Sequence, residues 1–512
     1  MSILFALIIA ILGIKRLNIV QSWLITVVSG ILILLSFIIV RAVGNSSWST
    51  PFLSMSGYQD TLIKFQLDER NWMFGLLLIT VFLATMFSEA SQNLTNRNKN
   101  EWIILLIINC FGLLSIFSRS LIAYLLFSIL TDLGMLLLLS NSVEIPEPDD
   151  DPLRRFVFHS LGNLFILFGM IYQSNAGLLM VSLGVMLRFG FLSLLLNTNL
   201  KSSQLKRYTF FSNTIIPLVT FAFFYSNKIR IGEFTGKNLI LILWAIIATG
   251  VMLKVFTSTV SSAMSKDLRS IYLWLGAFLL INGNLPALVP YLIVFVAMQT
   301  ALTLFNSSDK LYRIFFLILL LGMIGIPYTP SHGIWLLFEE QQSAVILIIY
   351  DVMLLIILVA AALLILKENT KRNQKQEWTE VFSSISPFFV LLILWSLDFW
   401  NKTISINVID FVIPGLVLCG LFWQIIIRKT SFFQRGVGII NSRSVTLRKK
   451  IFQVGTAILS LKWAVKLIGK VFNLGSEIIL VITRVLDGDG GLLWSFVFLV
   501  LLATVFMGNR YP

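Results

Sequence analysis

Asp132, Arg188, Lys254, His332 and Asp351 are ionisable residues set inside long apolar stretches. Arg188 interrupts VSLGVMLRFGFLSLLL, residues 181–196. A guanidinium at the centre of hydrocarbon costs roughly 3 to 10 kcal/mol or more, so it faces protein or a water-filled cavity and takes a partner. Two roles fit it: a lock between helices, or a fixed charge on an ion path. Asp132, in LLFSILTDLGMLLLL, is the carboxylate placed to pair with it, and the same two roles apply. His332 lies beside a stretch rich in glycine and proline. It is either an interface histidine or a titratable group, since imidazole titrates near pH 6.5. Lys254 stands at the end of its apolar run, where a lysine snorkels to the headgroups. Asp351 and Asp398 lie within apolar runs, and Asp351 must face protein or water. His159 opens a span and is expected at the headgroup level; Arg119 is expected just outside its helix.

The elements that must position these groups are membrane helices. The chain has 512 residues, 57% hydrophobic and 12% charged, with a mean hydropathy of +0.88. Soluble domains carry about 25% charged residues, so this is a polytopic membrane protein. Cys110 and Cys419 both sit in apolar runs, which argues against a disulfide framework or a thiolate metal site. Two histidines and no Cys/His/Asp cluster argue against zinc or haem, and no cofactor is expected. The net charge of +14 is read as lysines and arginines held on the cytoplasmic side, not as nucleic-acid affinity. The first apolar run lacks the basic flank and small-residue cleavage site of a signal peptide.

A hydrocarbon core about 30 Å thick needs roughly 20 apolar residues per helix. On that ruler the spans fall at 2–14, 20–40, 71–88, 102–118, 121–140, 156–173, 177–196, 209–226, 238–257, 270–287, 289–306, 313–338, 344–366, 386–400, 406–428 and 491–507. That is an all-α membrane protein of about 14 to 16 spans. Lys15, Arg16, Arg97, Lys99, Arg154, Arg155, Lys201, Lys206 and Arg207 fall in alternate loops. Those loops are cytoplasmic if the N-terminus is outside, as the positive-inside rule requires. The acidic run 144–151 is then a solvated cytoplasmic loop. Segment 429–486 is different. Lys462, Lys466, Lys470, Asn473 and Glu477 recur on one side of a helical period, and Ile458, Leu461, Val465, Ile468 and Phe472 on the other. This is an amphipathic helix with a basic face. It fits equally a helix lying on anionic lipid and a strut along neighbouring subunits.

Several stretches together resemble the antiporter-like membrane subunits of respiratory complex I, Mrp-type sodium/proton antiporters and membrane-bound hydrogenases. Gly325-Ile326-Pro327-Tyr328-Thr329-Pro330 is similar to that family's GxPPTPGF stretch in its second broken helix. Ser265-Lys266-Asp267-Leu268-Arg269 is similar to the turn Q-x-D-(I/L)-K-R, Leu183-Gly184-Val185-Met186-Leu187-Arg188 to the G-x-x-x-K of the first broken helix, and Phe65-Gln66-Leu67-Asp68 to the approach to the third span. The ordered set covers roughly residues 60 to 340. The resemblance implies two inverted five-helix repeats, each with one discontinuous helix. They would occupy 102–226 and 238–366, after N-terminal helices 1–101. Peripheral helices 386–428, the lateral helix 429–486 and a final membrane helix within 487–512 would follow. Gly325, Pro327, Pro330 and Gly333 would break the second repeat's helix, and irregular backbone is tolerated at that depth only where it lines a cavity.

In the family a glutamate of the fifth helix pairs with a lysine of the seventh, and further titratable groups follow in the eighth and twelfth. Here the lysine's place holds Arg188, which keeps its proton. Asp132 stands at the glutamate's place with a small gap, or one turn beyond it. The eighth helix has no lysine or histidine, only Ser212, Asn213 and Thr214 early in it, and the twelfth-helix position holds Trp335. The resemblance therefore implies a membrane-arm subunit of a respiratory NADH dehydrogenase- or hydrogenase-type complex. It would be a non-catalytic subunit, in the cell's inner membrane, with its proton pathway degenerate or rerouted through Asp132, Arg188 and His332. Its partners would be other membrane subunits, with the lateral helix against them, and lipid. The competing expectation is an autonomous proton/sodium antiporter or other secondary transporter. A membrane enzyme acting on lipid-linked substrates is disfavoured, because no long outer loop rich in carboxylates is present.

Overall fold

A computed structural model of the chain describes residues 18–43, 46–49, 64–89, 99–142, 152–172, 174–189 and 203–227, with isolated positions between 276 and 299. The chain divides into two compact units, Met1–Gly436 and Val437–Pro512, and the described residues belong to the first. Along them run α1 (Ile19–Val43), β1 (Ser46–Ser49), β2 (Lys64–Leu67), α2 (Glu69–Glu89), α3 (Lys99–Phe117), α4 (Leu121–Ser142), α5 (Pro152–Ile171), α6 (Asn175–Arg188) and α7 (Ser203–Ser226). Windows within α1, α2, α3, α4 and α7 are long and apolar enough to cross a membrane. Hydrocarbon offers no hydrogen bonds, so the backbone closes on itself as helix.

The centre of this bundle is α2. Its Asn71–Ser88 window is buried apart from the half-buried Phe87, and α1, α3 and α7 pack around it. Its start is fixed by reciprocal capping: Asn71 N–H donates to Asp68 Oδ1 at 3.1 Å, and Asp68 N–H donates to Asn71 Oδ1 at 2.9 Å. These bonds satisfy donors that a helix N-terminus leaves open. Two indoles tie α1 to α2, with Trp23 Nε1 donating to the Met86 carbonyl at 3.0 Å and Trp72 Nε1 to the Phe37 carbonyl at 2.8 Å. The outer side of α1 exposes Val20, Leu24, Val28, Ile31, Leu35 and Ile38, at the three- and four-residue spacing of one helix face.

The spans read from the sequence between 20 and 226 coincide with α1 to α7 to within a few residues, with one difference. Residues 177–196 read as a single span, whereas α6 ends at Arg188 and is capped by Phe189. Its 14 residues reach roughly 21 Å at 1.5 Å each, short of the bilayer core. A second finding had no sequence expectation: β1 pairs antiparallel with β2, Ser46 opposite Leu67 and Ser49 opposite Lys64. The hairpin leans on the turn between α3 and α4, where Phe65 bridges Ser118 and Arg119 N–H donates to the Lys64 carbonyl at 2.8 Å. The span at 2–14, the second repeat 238–366 apart from isolated positions between 276 and 299, the lateral segment 429–486 and the final helix lie outside the described residues.

Candidate functional site

The site is assembled from residues of four helices, α4 to α7. On α4, Tyr124, Ser128 and Asp132 recur every four residues and so share one face; all three are buried. The other face of α4 exposes Ile122, Leu126, Ile129, Leu133 and Leu137. On α5, His159 and Asn163 show the same spacing. The packing of α5 on α6 is backbone to backbone. A Cβ at Gly162 would meet the Gly184 carbonyl oxygen and Arg188 Cγ at 2.8 Å each, and one at Gly184 would meet the Gly162 carbonyl oxygen at 2.7 Å. Small residues at this crossing let two membrane helices touch, and they lay the stem of Arg188 across α5 toward α4.

Arg188 and Asp132 then meet as a buried pair. Arg188 Nη1 donates to Asp132 Oδ2 at 3.0 Å, with side-chain exposures of 1% and 0%. Arg188 Nε donates to Thr220 Oγ1 of α7 at 2.9 Å. Thr220 can accept because its own proton goes to the Ile216 carbonyl at 2.8 Å, and Tyr124 Oη reaches the same Oγ1 at 3.4 Å. Asn163 Nδ2 also donates to Asp132 Oδ2, at 3.2 Å, while its Oδ1 accepts from Ser128 Oγ at 3.2 Å, which orients the amide. The position of Arg188 in the last turn of α6 sets its charge against the negative end of the helix dipole.

The two oxygens of Asp132 differ. Oδ2 is shared by Arg188 and Asn163, whereas Oδ1 is buried with no hydrogen-bond partner. His159 Nδ1 stands 3.9 Å from that Oδ1, just beyond hydrogen-bond reach. His159, expected at the headgroup level from its place near the start of a span, packs beside Asp132 with 13% of its side chain exposed. The turn of α5 between Pro152 and His159 carries it inward, and its four-residue spacing from Asn163 points it at α4. Sequence reasoning also missed Asn163, Ser128, Tyr124 and Thr220. The signal available was the matched spacing of four in Tyr124/Ser128/Asp132 and in His159/Asn163.

Two other polar contacts hold the ends of the bundle. At the hairpin end, Arg119 pairs with Asp68 and donates to the Ser226 carbonyl at the end of α7. Arg119 lies outside its helix as expected, and it joins the ends of α2, α3 and α7. At the opposite end Tyr208 Oη donates to Glu101 Oε2 at 2.6 Å, joining α7 to α3. Lys254, His332, Asp351, Gly325, Pro327, Pro330 and Gly333 lie outside the described residues.

What the arrangement can do follows from its donors. Arg188 is a cation that does not release its proton, so it can hold or free a carboxylate but cannot relay. Asp132 and His159 supply the cluster's carboxylate and imidazole, groups that can take up and release a proton.

No protein family and no curated sequence matches this chain. Solved structures do. A chain of respiratory complex I from Thermus thermophilus, with bound aureothin, aligns with a TM-score of 0.57 and 15% identity over 77% of this chain and 96% of its own length. A chain of the Mrp complex from a Dietzia species aligns with a TM-score of 0.64 and 10% identity over 100% of this chain, which spans 63% of that longer chain. The chain shares its fold with these chains of complex I and the Mrp complex. That fold agrees with the apolar helices of the described region, and the chain is a multi-pass membrane protein.

Proposed function

We propose that the chain is an antiporter-like membrane-arm subunit of a multi-subunit complex of the respiratory NADH dehydrogenase or hydrogenase type, and that its proton path does not pass through a lysine at position 188. The observation that carries this reading is the buried contact of Asp132 with Arg188 where α6 stops short of a full span. A cation fixed at the interrupted end of a membrane helix suits a site built to handle charge at that depth. Arginine in place of an exchanging amine turns the pair into a gate or lock, and any proton that moves here moves on other groups.

On this reading the halves 102–226 and 238–366 are inverted repeats, each interrupted at mid-membrane. The second is broken at Gly325, Pro327, Pro330 and Gly333, and His332, Lys254 and Asp351 line its part of the path. Segment 429–486 lies along neighbouring subunits, and the chain sits in the inner membrane with its N-terminus and the β1–β2 hairpin outside. The test is purification of the tagged full chain from its native membrane in mild detergent, with mass spectrometry of what accompanies it. Other polytopic membrane subunits in fixed stoichiometry are expected. A homogeneous single chain that exchanges sodium for protons in liposomes would instead establish an autonomous antiporter.

A further inference from the structure

We propose that His159 is the proton-exchanging group of this site, a relay that delivers a proton to the free oxygen of Asp132 and so takes over the task Arg188 cannot perform. This deepens the reading above and rests on Asp132 and Arg188 being its charge-handling pair. The carboxylate of Asp132 is asymmetric in its surroundings. Oδ2 is occupied by Arg188 and Asn163, and Oδ1 is buried, has no hydrogen-bond partner and has His159 Nδ1 at 3.9 Å. A buried oxygen without a partner is costly, and an imidazole nitrogen is a group able both to bring a proton and to take it away.

Placement supports an inlet. His159 has 13% of its side chain exposed whereas Asp132 has none, so the ring stands between the surface of the bundle and the carboxylate. It lies about 10 Å along the axis from the start of α5 at Pro152. Among the described residues, the charged groups around it are Asp132 from α4, Arg188 from α6 and Arg155 from its own helix.

The step balances as a simple transfer. A hydronium proton from the His159 side binds Nε2 of the ring in its Nδ1–H tautomer, giving imidazolium beside carboxylate and leaving water. The Nδ1 proton then passes to Asp132 Oδ1, breaking that N–H bond, forming the O–H bond and leaving a neutral Nε2–H imidazole and a neutral carboxyl. Arg188 then has no counter-charge on Asp132 and is freed; return of the proton restores the pair. Asp132 is thus compensated by Arg188 in one state and by a proton in the other.

Time-resolved infrared spectroscopy after a pH jump, on the full chain in its native membrane assembly with isotope-labelled histidine, tests this. The carboxyl band is assigned by its disappearance in Asp132→Asn. The expected result is an imidazole signal that precedes or accompanies the Asp132 carboxyl signal after the jump, with His159→Gln slowing the carboxyl signal at least about 100-fold. An Asp132 signal of unchanged rate in His159→Gln, or no change at Asp132 in the wild type, overturns the proposal. If His159→Gln does not assemble, His159→Asn replaces it. In the wild type alone, a carboxyl signal with no imidazole signal is equally fatal. These readouts need no ion flux, so a chain purified without partners would sink the subunit reading and leave this result standing.

Discussion

Asp132 and Arg188 share so few alternatives that each neighbour's role is separately measurable. Thr220 gives Arg188 Nε its acceptor at 2.9 Å inside the bundle. Thr220→Val keeps the shape and removes the oxygen, leaving a buried charged donor unsatisfied at a cost of about 1–3 kcal/mol. A lower unfolding temperature is expected for the purified protein, and Thr220→Ser should restore most of it. The pair itself was legible in the sequence because a charge in an apolar run must find a partner. The neighbours were not, because serine, threonine and asparagine sit in membrane spans for many reasons and only spacing against a second helix sorts them. His159 shows the limit most clearly. Its position near the start of a span suggested the headgroups, and only the packing of α5 on α4 brings it to Asp132.

At the scale of elements, the crossing of α5 and α6 decides where Arg188 lands. A Cβ at Gly184 would meet the Gly162 carbonyl oxygen at 2.7 Å and Ile166 N at 3.0 Å, both backbone atoms that cannot step aside. Gly184→Ala should therefore separate the two helices, cost about 1–3 kcal/mol by overpacking and lengthen the Arg188–Asp132 contact. Gly112→Ala is the comparison, since its Cβ would meet only the end of the Leu78 side chain closer than 3.0 Å. Thermal unfolding of the two variants should rank Gly184→Ala well below Gly112→Ala; equal effects would refute the backbone-contact argument. Helix extents were readable from hydropathy because each span needs about 20 apolar residues. The end of α6 was not, since Phe189, Phe191 and Leu192 continue the apolar run past Arg188. The β1–β2 hairpin escaped notice because its four-residue strands, SSWS and KFQL, carry too little alternation to stand out from a loop.

For the whole molecule, orientation is the first consequence of the charge pattern. Cysteine substitutions at Ser47 in the hairpin and at Glu147 in the acidic run, made in a background without Cys110 and Cys419, should label from opposite sides of the membrane. Ser47 is the outer one by the positive-inside rule, and labelling of both from one side would refute the assignment. The larger claim is that the described helices close around the buried ion pair joining α4 to α6. A double-mutant cycle on thermal unfolding of the whole protein tests it, using Asp132→Asn, Arg188→Gln and the two together. Each single change leaves an uncompensated buried charge and should cost about 3–5 kcal/mol. The double variant should recover part of that loss, with a coupling of about 1–3 kcal/mol. Losses that simply add would mean the two side chains act independently, and would contradict the account.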